Sequence, residues 1–272
     1  MAILNRVPTG VLVASFLPAV LLGGCTVQHR SAWEPVAACV DYAQMQPHVH
    51  VVRTDLHCPE VRLEVTPEGQ RGQTTSGYAR ESGVTVAVNA NFFQMDTLVP
   101  RGDVVAGGVA WRQVSKADGL PRLVCDRSKR CEISVVSERG DGISEMKPDI
   151  EVTGLQFYRD GGFHCSPGAP AACAGSNASE KNPRTLAGLS LDGRWLYLLV
   201  LEGRQRSFSG FTLAESAGLL ADLRIDAGLN LDGGGSSTLV INGRRVNALP
   251  VKQAAERPVA NQLGIRTMRV QP

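Results

Sequence analysis

A carboxylate followed by three glycines and two serines is the segment of this sequence best suited to chemistry. Asp232 stands at the end of a predicted strand, and the small residues after it are Gly233, Gly234, Gly235, Ser236 and Ser237. Glycines accept positive φ angles and expose backbone N–H groups, so this segment can form a nest for an anion. It is neither a Walker loop nor a dinucleotide fingerprint, because lysine is missing after the glycines and the spacing differs. The alternative is a flexible linker, which the apolar runs on both sides disfavour.

Two asparagines leave the end of a second predicted strand. Val84–Asn89 is a β-branched apolar run typical of a buried strand, and Asn91 follows it closely. Each amide carries donors and an acceptor, so Asn89 and Asn91 can hold sugar hydroxyls. An equally good interpretation is a turn in which these side chains cap their own backbone.

Two arginines lie at the open end of a predicted β-hairpin. Arg184 begins its first strand, and Arg204 follows Glu202 and Gly203 at the end of its second strand. A guanidinium pairs bidentately with phosphate, which favours an anion site here. On these segments alone, the simpler interpretation is a surface ion pair between Glu202 and an arginine.

Together, five motifs resemble the phosphodiester glycosidase family in their identity and order. They are Asn89-Ala90-Asn91-Phe92-Phe93, Pro183-Arg184-Thr185, Glu202-Gly203-Arg204, Asn230-Leu231-Asp232-Gly233-Gly234-Gly235-Ser236-Ser237 and Arg257-Pro258-Val259-Ala260-Asn261. The likeness covers about residues 48–270. Family members often carry Asp where this chain has Glu202. The resemblance implies a hydrolase that cleaves a sugar from a sugar-1-phosphodiester and gives free sugar and a phosphomonoester.

The resemblance also implies roles for individual residues. Glycosidic cleavage passes through an oxocarbenium-like transition state that carboxylates serve, and Glu202 and Asp232 are the catalytic candidates. A phosphomonoester has a second pKa near 6, so it leaves with little need for a proton but needs fixed positive surroundings. The residues expected to contact substrate are Asn89, Asn91, Arg184, Arg204, Gly233, Gly234, Gly235, Ser236, Arg257 and Asn261. We expect no metal and no cofactor.

Two other classes of function compete with this hypothesis. A non-catalytic envelope lipoprotein would bind glycan or phosphoglycan without forming product. A metal protein would use His48, His50 and His57, but His48 and His50 alternate along a probable strand, and Cys58 is better explained by a disulfide. A formal net charge of only +2 gives no electrostatic case for a nucleic acid partner.

The strands and helices predicted around these residues indicate an α+β fold. We expect a single domain with a strand-dominated mixed sheet core, a few helices and disulfides. Asp192-Gly193 between apolar alternations predicts the hairpin. Thr212 and Glu215 form a capping-box pattern at the start of a helix over Thr212–Leu223, and Thr74–Ser82 predicts a shorter helix.

The N-terminus has the pattern of a bacterial lipoprotein signal. Its apolar stretch over Val11–Leu22 is too short to span a membrane, and Leu22-Gly23-Gly24-Cys25 resembles a lipobox with Cys25 as the lipidated residue. The predicted boundaries are a signal peptide over residues 1–24, a membrane tether over 25–46 and the glycosidase-like domain over 47–272. We therefore expect a cell-envelope protein with a lipid anchor, on the periplasmic or outer-membrane face.

The cysteine count agrees with export. Of the seven cysteines, assigning Cys25 to lipid leaves an even set, which reads as disulfides in an exported protein. Six cysteines allow 15 connectivities, of which we favour one. Proximity along the chain suggests Cys125 with Cys131 and Cys165 with Cys173, which leaves Cys39 and Cys58 for one another.

Overall fold

Strands dominate the fold, which the computed structural model describes over residues 33–115, 120–134, 146–164 and 176–268. In chain order they are β1 (Glu34–Ala37), β2 (Val40–Gln46), β3 (Val49–Asp55), β4 (Val61–Val65), β5 (Val86–Asn89), β6 (Val105–Ala106), β7 (Val109–Ala110), β8 (Arg122–Cys125), β9 (Cys131–Ser134), β10 (Ile150–Thr153), β11 (Leu155–Arg159), β12 (Gly162–Phe163), β13 (Arg184–Ser190), β14 (Trp195–Leu201), β15 (Ile225–Asn230), β16 (Leu239–Ile241), β17 (Arg244–Arg245) and β18 (Gln262–Thr267). The helices are α1 (Thr75–Ser82), α2 (Ser176–Ser179) and α3 (Leu213–Asp222), and short 3-10 turns cover Glu68–Gln70 and Gly234–Ser236. These residues belong to one compact unit. The strand-dominated prediction is confirmed.

The strands form three sheets. The largest has eight strands in the order β1-β2-β3-β14-β13-β15-β11-β12, and two five-stranded sheets have the orders β7-β6-β10-β8-β9 and β17-β16-β5-β18-β4. Between the strands of the described residues, every pairing is antiparallel, so the prediction of a mixed sheet is wrong. For strands consecutive in sequence the physical reason is the connection, because tight turns such as Asp192-Gly193 return the chain alongside itself, whereas parallel neighbours need long crossovers.

One hydrophobic core serves all three sheets. Val88 of β5, Leu123 of β8 and Leu198 of β14 belong to a single buried cluster. β5 lies between β16 and β18, and all its residues are buried, which explains its continuous apolar run. The ends of these central strands are consequently held in fixed positions.

The two longer helices form where their capping residues predict. The side chain of Thr212 accepts from the N–H of Glu215 at 3.1 Å, and the Glu215 carboxylate accepts from the N–H of Thr212 at 2.8 Å, completing a capping box for α3. α1 is capped by Thr74 and ends at Gly83, whose φ of 71° suits glycine. Among the described residues, none of the helices has the length and hydrophobicity that a bilayer span requires.

The predicted tether is wrong over its second half. Glu34–Ala37 and Val40–Gln46 are strands of the eight-stranded sheet, and β2 pairs with β3 while burying Val40 and Ala43. Their alternation was obscured because β1 is the edge strand and β2, next to it, exposes polar side chains such as Gln44. The domain therefore begins before residue 47. The predicted signal peptide and Cys25 lie outside the described residues.

Two of the three predicted disulfides are present. Cys39 bonds to Cys58, joining the turn between β1 and β2 to the segment between β3 and β4. Cys125 bonds to Cys131 and closes the hairpin of β8 and β9. Cys165 and Cys173 lie outside the described residues.

Candidate active site

Asp232 lies where two sheets meet. The N–H of Leu231 donates to Thr185 O of β13 at 2.8 Å, and the N–H of Asp232 donates to Ala90 O, just after β5, at 2.8 Å. These bonds fix the end of β15 between an eight-stranded and a five-stranded sheet. The carboxylate is thereby placed by backbone hydrogen bonds on both sides.

The glycine run packs tightly rather than forming an open nest. Gly234 has a φ of 61°, and its N–H donates to Pro183 O at 2.9 Å. The N–H of Ser236 donates to Gly233 O at 3.2 Å. The N–H groups of Gly234 and Ser236 are therefore used within a compact turn. Gly233, Gly234 and Gly235 nevertheless line a cavity, so the predicted contact of this segment with substrate stays a prediction. A Cβ on Gly235 would stand 2.6 Å from Arg257 Nη2, so a larger residue would displace that guanidinium.

The environment of Asp232 tunes its acidity. Burial raises the pKa of Asp232 to about 6, although the Ser236 hydroxyl, the Gly233 N–H and the charge of Arg257 all act to lower it. A carboxyl group that titrates near neutrality can exchange protons at physiological pH.

Arg204 and Arg257 stand beside the turn that follows Asp232. Arg204 Nη1 lies 3.1 Å from the position of a Cβ on Gly234, and Arg204 Nη2 donates to Asn182 Oδ1 at 2.8 Å. Arg257 Nη1 donates to Ser236 Oγ at 3.4 Å. The two guanidiniums therefore flank the same turn of backbone.

These arginines also line two neighbouring cavities. The smaller cavity, of about 250 Å³, is lined by Asp232, Arg204, Arg257 and apolar groups such as Phe92 and Leu155. The larger cavity, of about 900 Å³, is also lined by Arg204 and Arg257. Asp232 is the one carboxylate among the described residues that line the smaller cavity.

Arg184 is buried in the wall of the smaller cavity. Its side chain is buried, with Nε donating to Phe211 O at 3.1 Å and Nη2 donating to Glu180 O at 2.8 Å. Burial lowers the pKa of Arg184, and nearby Arg204 adds to that effect. Arg184 lines the smaller cavity, and its hydrogen bonds to Phe211 O and Glu180 O hold the surrounding chain together. We therefore assign it a positioning role, while its contact with phosphate stays a prediction.

Glu202 is held away from both cavities by two histidines. Its carboxylate accepts from His48 Nδ1 at 2.8 Å, His50 Nε2 at 2.8 Å and the N–H of Ala248 at 2.6 Å. Burial alone would raise the pKa of Glu202, but these hydrogen bonds outweigh it and lower the pKa to about 2. Since His50 Nε2 donates to the carboxylate, a neutral His50 accepts at Nδ1 from the Tyr42 hydroxyl, 2.9 Å away.

His57 lies far from the other two histidines of the metal hypothesis, which both contact Glu202. His48 and His57 lie at opposite ends of β3, which spans Val49–Asp55, so they are roughly 20 Å apart or more at about 3.3 Å per residue. Of the described residues, the group placed closely enough to hold a metal ion contains Cys39, Cys58 and Glu60, and those two cysteines form a disulfide.

The three predicted sugar-binding amides lie in the framework beneath the site. Asn89 donates to Asp232 O at 2.6 Å and accepts from the Thr185 hydroxyl at 2.8 Å. Asn91 and Asn261 bond to each other, through Asn91 N and Asn261 Oδ1 at 3.1 Å and through Asn261 Nδ2 and Asn91 Oδ1 at 3.0 Å. All three are buried and use internal partners, as buried polar groups must. Their predicted contact with sugar is therefore corrected to positioning of Asp232 and its surroundings.

Comparison with known proteins identifies the family to which this site belongs. Residues 82–266 match the family profile described as phosphodiester glycosidase. The chain belongs to this family. It is 31% identical over 186 residues to the N-acetylglucosamine-1-phosphodiester alpha-N-acetylglucosaminidase of Bos taurus, covering 64% of this chain and 34% of that protein. The protein of the same name from Mus musculus is 28% identical over 186 residues, covering 64% of this chain and 35% of the relative.

The match thus spans about a third of the length of these curated relatives. A solved structure of similar fold is the zebrafish N-acetylglucosamine-1-phosphodiester alpha-N-acetylglucosaminidase catalytic domain auto-inhibited by pro-peptide. It has a TM-score of 0.67 and 21% identity, covering 84% of this chain and 78% of that one. At this identity, the likeness establishes the fold.

Several residues at the site of this phosphodiester glycosidase family member were not singled out from the sequence. Asn182 contacts Arg204, and Phe92 and Leu155 line the smaller cavity. Asn182 directly precedes the Pro183-Arg184-Thr185 motif, so extending that motif by one residue would have included it. Phe92 is already part of the first motif, but the sequence assigned it no role. Leu155 carries no sequence signal of this kind, since only the pairing of β11 with β15 brings it to the site.

Proposed function

We propose that this protein hydrolyses a sugar-1-phosphodiester between the sugar and the phosphate, with Asp232 acting at the anomeric carbon. The observation that carries this proposal is the position of Asp232 in the smaller cavity, whose walls include both Arg204 and Arg257. The names of the bovine and mouse relatives describe removal of N-acetylglucosamine from a phosphodiester, which supports the same chemistry here.

The sugar ring occupies the smaller cavity in this proposal. Phe92 and Leu155 offer apolar surface to the ring, while Asn182 supplies polar atoms. The phosphate lies between Arg204 and Arg257, which are the residues common to both cavities. The rest of the substrate then extends into the larger cavity.

The reaction needs one base and a cationic site. Water attacks the anomeric carbon and gives a proton to ionised Asp232, while the bond from that carbon to the phosphate oxygen breaks. Its electron pair leaves with the phosphomonoester, and the two guanidiniums stabilise the additional charge. A second carboxylic acid is not needed, because a phosphate leaving group is already weakly basic. Glu202 acts as a positioning residue, since it anchors His48, His50 and Ala248 around the chain that leads to Arg204.

The test measures both products and the bond that breaks. We expect hydrolysis of an aryl or nucleotide sugar phosphodiester in H₂¹⁸O to place the label in the free sugar, because cleavage occurs at carbon. Asp232→Asn is expected to lose at least 100-fold in kcat, and Arg204→Ala a comparable factor in kcat/KM. Asp222→Asn is the matched control, because Asp222 is an exposed carboxylate on α3.

Undiminished turnover in Asp232→Asn and Arg204→Ala would refute this assignment. Label in the phosphate would indicate attack at phosphorus instead. Saturable binding without any product would favour the non-catalytic, glycan-binding lipoprotein.

We also propose that the enzyme acts in the cell envelope, anchored through lipid on Cys25. The Leu22-Gly23-Gly24-Cys25 motif supports this location, and the two disulfides suit an oxidising compartment. Cys25→Ser is expected to move the full-length protein from the membrane fraction to the soluble fraction. A Cys25→Ser protein that remained in the membrane fraction would contradict the anchor.

A further inference from the structure

The larger cavity is cationic beyond what one phosphate requires. Its lining includes five basic residues, and no carboxylate is found among the described residues that line it. The basic residues are Lys181, Arg204, Arg206, Lys252 and Arg257. Arg204 and Arg257 are already assigned to the scissile phosphate. The remaining positive charge lies on the side where the leaving alcohol must extend.

Two of the remaining cations are uncompensated. Lys181 is paired with Glu215, Nζ to Oε1, at 2.9 Å. Arg206 and Lys252 are exposed, and neither has an ion pair or a side-chain hydrogen bond within the part of the chain that the structure describes. Charges of one sign in a concave wall focus the electrostatic potential and attract an oppositely charged ligand.

The wall that carries these two charges is held in place by hydrogen bonds. The N–H of Val251 donates to Arg204 O at 3.1 Å, and Gln205 Nε2 donates to Leu249 O at 2.9 Å. These bonds connect the segment bearing Arg206 to the segment bearing Lys252. Both cations therefore face the cavity from one continuous surface.

Between the charges, the lining is apolar. Pro250, Val251 and Ala255 line the same cavity, and the side chain of Val251 is half-exposed. Such a surface suits the carbon skeleton of an alcohol, while the cations suit an anionic group carried farther along it.

We propose that the larger cavity binds an aglycone that bears a second phosphoryl group, so that the substrate is a sugar phosphodiester of a phosphorylated alcohol and not of a neutral one. This inference rests on the proposed function, because it takes the scissile phosphate to lie between Arg204 and Arg257. Arg206 and Lys252 are the specificity-determining residues for the second phosphate.

A binding measurement tests the inference without turnover. We would titrate the protein by calorimetry with propyl phosphate and with propane-1,3-diyl bisphosphate, which represent products with one and two phosphates. The bisphosphate is expected to bind at least tenfold more tightly. Arg206→Gln and Lys252→Gln are each expected to weaken bisphosphate binding three- to tenfold and to lower the preference over the monophosphate. Arg80→Gln is the charge-matched control, because Arg80 is exposed on α1 and does not line the cavity.

Equal affinities for the two ligands would overturn the inference. An equal loss for both ligands in Arg206→Gln and Lys252→Gln, or the same loss in Arg80→Gln, would also overturn it, because the effect would then be a general charge effect. Turnover separates the two proposals. Hydrolysis of a neutral-aglycone substrate without any bisphosphate preference would leave the proposed function standing, whereas a bisphosphate preference without hydrolysis of any substrate would refute the function while supporting the anionic site.

Discussion

At the scale of single residues, the two candidate carboxylates differ because their partners differ. Asp232 is partly buried in the cavity wall with few donors, and its pKa is raised to about 6, whereas Glu202 has three donors, and its pKa is lowered to about 2. Only the first has an acidity suited to exchanging protons near neutral pH. Both residues could be identified from the sequence, but nothing in it indicated that His48 and His50 would hydrogen-bond to Glu202.

The Ser236 hydroxyl provides a direct test of the acidity of Asp232. Because this hydrogen bond lowers the pKa of Asp232, Ser236→Ala should raise that pKa further. If Asp232 acts as an ionised base, kcat/KM falls below about pH 6 in the wild type, and this acid limb should move upward by roughly half to one pH unit in the variant. The measurement is the pH dependence of kcat/KM between pH 4 and 9.

Ser237→Ala is the matched control for that experiment. The Ser237 hydroxyl is buried and has no hydrogen-bond partner among the described residues, so its removal should leave the acid limb of the kcat/KM profile at the same pH. If the acid limb of the kcat/KM profile moved to lower pH in Ser236→Ala, or moved equally in both variants, the ionisation of Asp232 would not be its cause.

The lowered pKa of Glu202 implies that this residue makes a pH-dependent contribution to stability. Its pKa is lower in the folded protein than the ordinary value of 4.5, so its stabilising contribution is full above about pH 4.5 and is lost as the pH falls towards about 2. Glu202→Gln should therefore reduce the free energy of unfolding by about 1.5–3 kcal/mol at pH 7, the range for hydrogen bonds to a charged group. Urea titrations from pH 7 to pH 3 should show the difference from wild type shrinking with acidity, and a constant difference would contradict this explanation.

At the scale of elements, local signals predicted what local interactions determine. The Asp192-Gly193 hairpin and both capped helices formed because their turns and caps depend on neighbours in sequence. β1 and β2 were missed because their identity as strands depends on β3, and a half-exposed edge leaves little apolar alternation. The same limit applies to β11, whose partner β15 is distant in sequence.

The capping box of α3 is a local signal with a consequence for the site. Leu213, the first residue of α3, lines the smaller cavity, so the start of this helix shapes that wall. Thr212→Ala removes the hydroxyl that accepts from Glu215 and should cost about 1 kcal/mol of stability. Thermal unfolding would measure this against Ser207→Ala, an exposed loop serine, and an unchanged Tm in Thr212→Ala would show that the cap contributes nothing.

At the scale of the whole molecule, the site is assembled from chain segments that only the three-sheet arrangement brings together. Ala90 follows β5, Pro183 precedes β13 and Asp232 follows β15, yet backbone bonds join them. The family resemblance predicted that these motifs belong to one site. It did not distinguish cavity-facing Asp232 from buried Asn89, because each belongs to a motif of the family and only packing decides which side chain is exposed to substrate.

The disulfides stabilise this arrangement unequally. Cys39 and Cys58 are 19 residues apart, whereas Cys125 and Cys131 are only 6 apart. Loop-closure entropy then predicts that replacing both cysteines of the first pair with serine costs about 3 kcal/mol, against about 2 kcal/mol for the second pair. Denaturant unfolding of the two double variants should show this order. The reverse order would mean that native-state interactions outweigh chain entropy here.

In the proposed hydrolysis, the position of Arg204 and Arg257 between two cavities also affects product release. That reaction converts a singly charged phosphodiester into a monoester with about −1.5 to −2 charges at neutral pH, while the sugar departs uncharged. The same guanidiniums therefore hold the product more strongly than the substrate. Sugar should leave first, and the retained monoester should limit turnover and compete with new substrate. An enzyme of this design slows as its phosphorylated product accumulates, so its rate in the cell follows how quickly a downstream phosphatase or carrier removes that product.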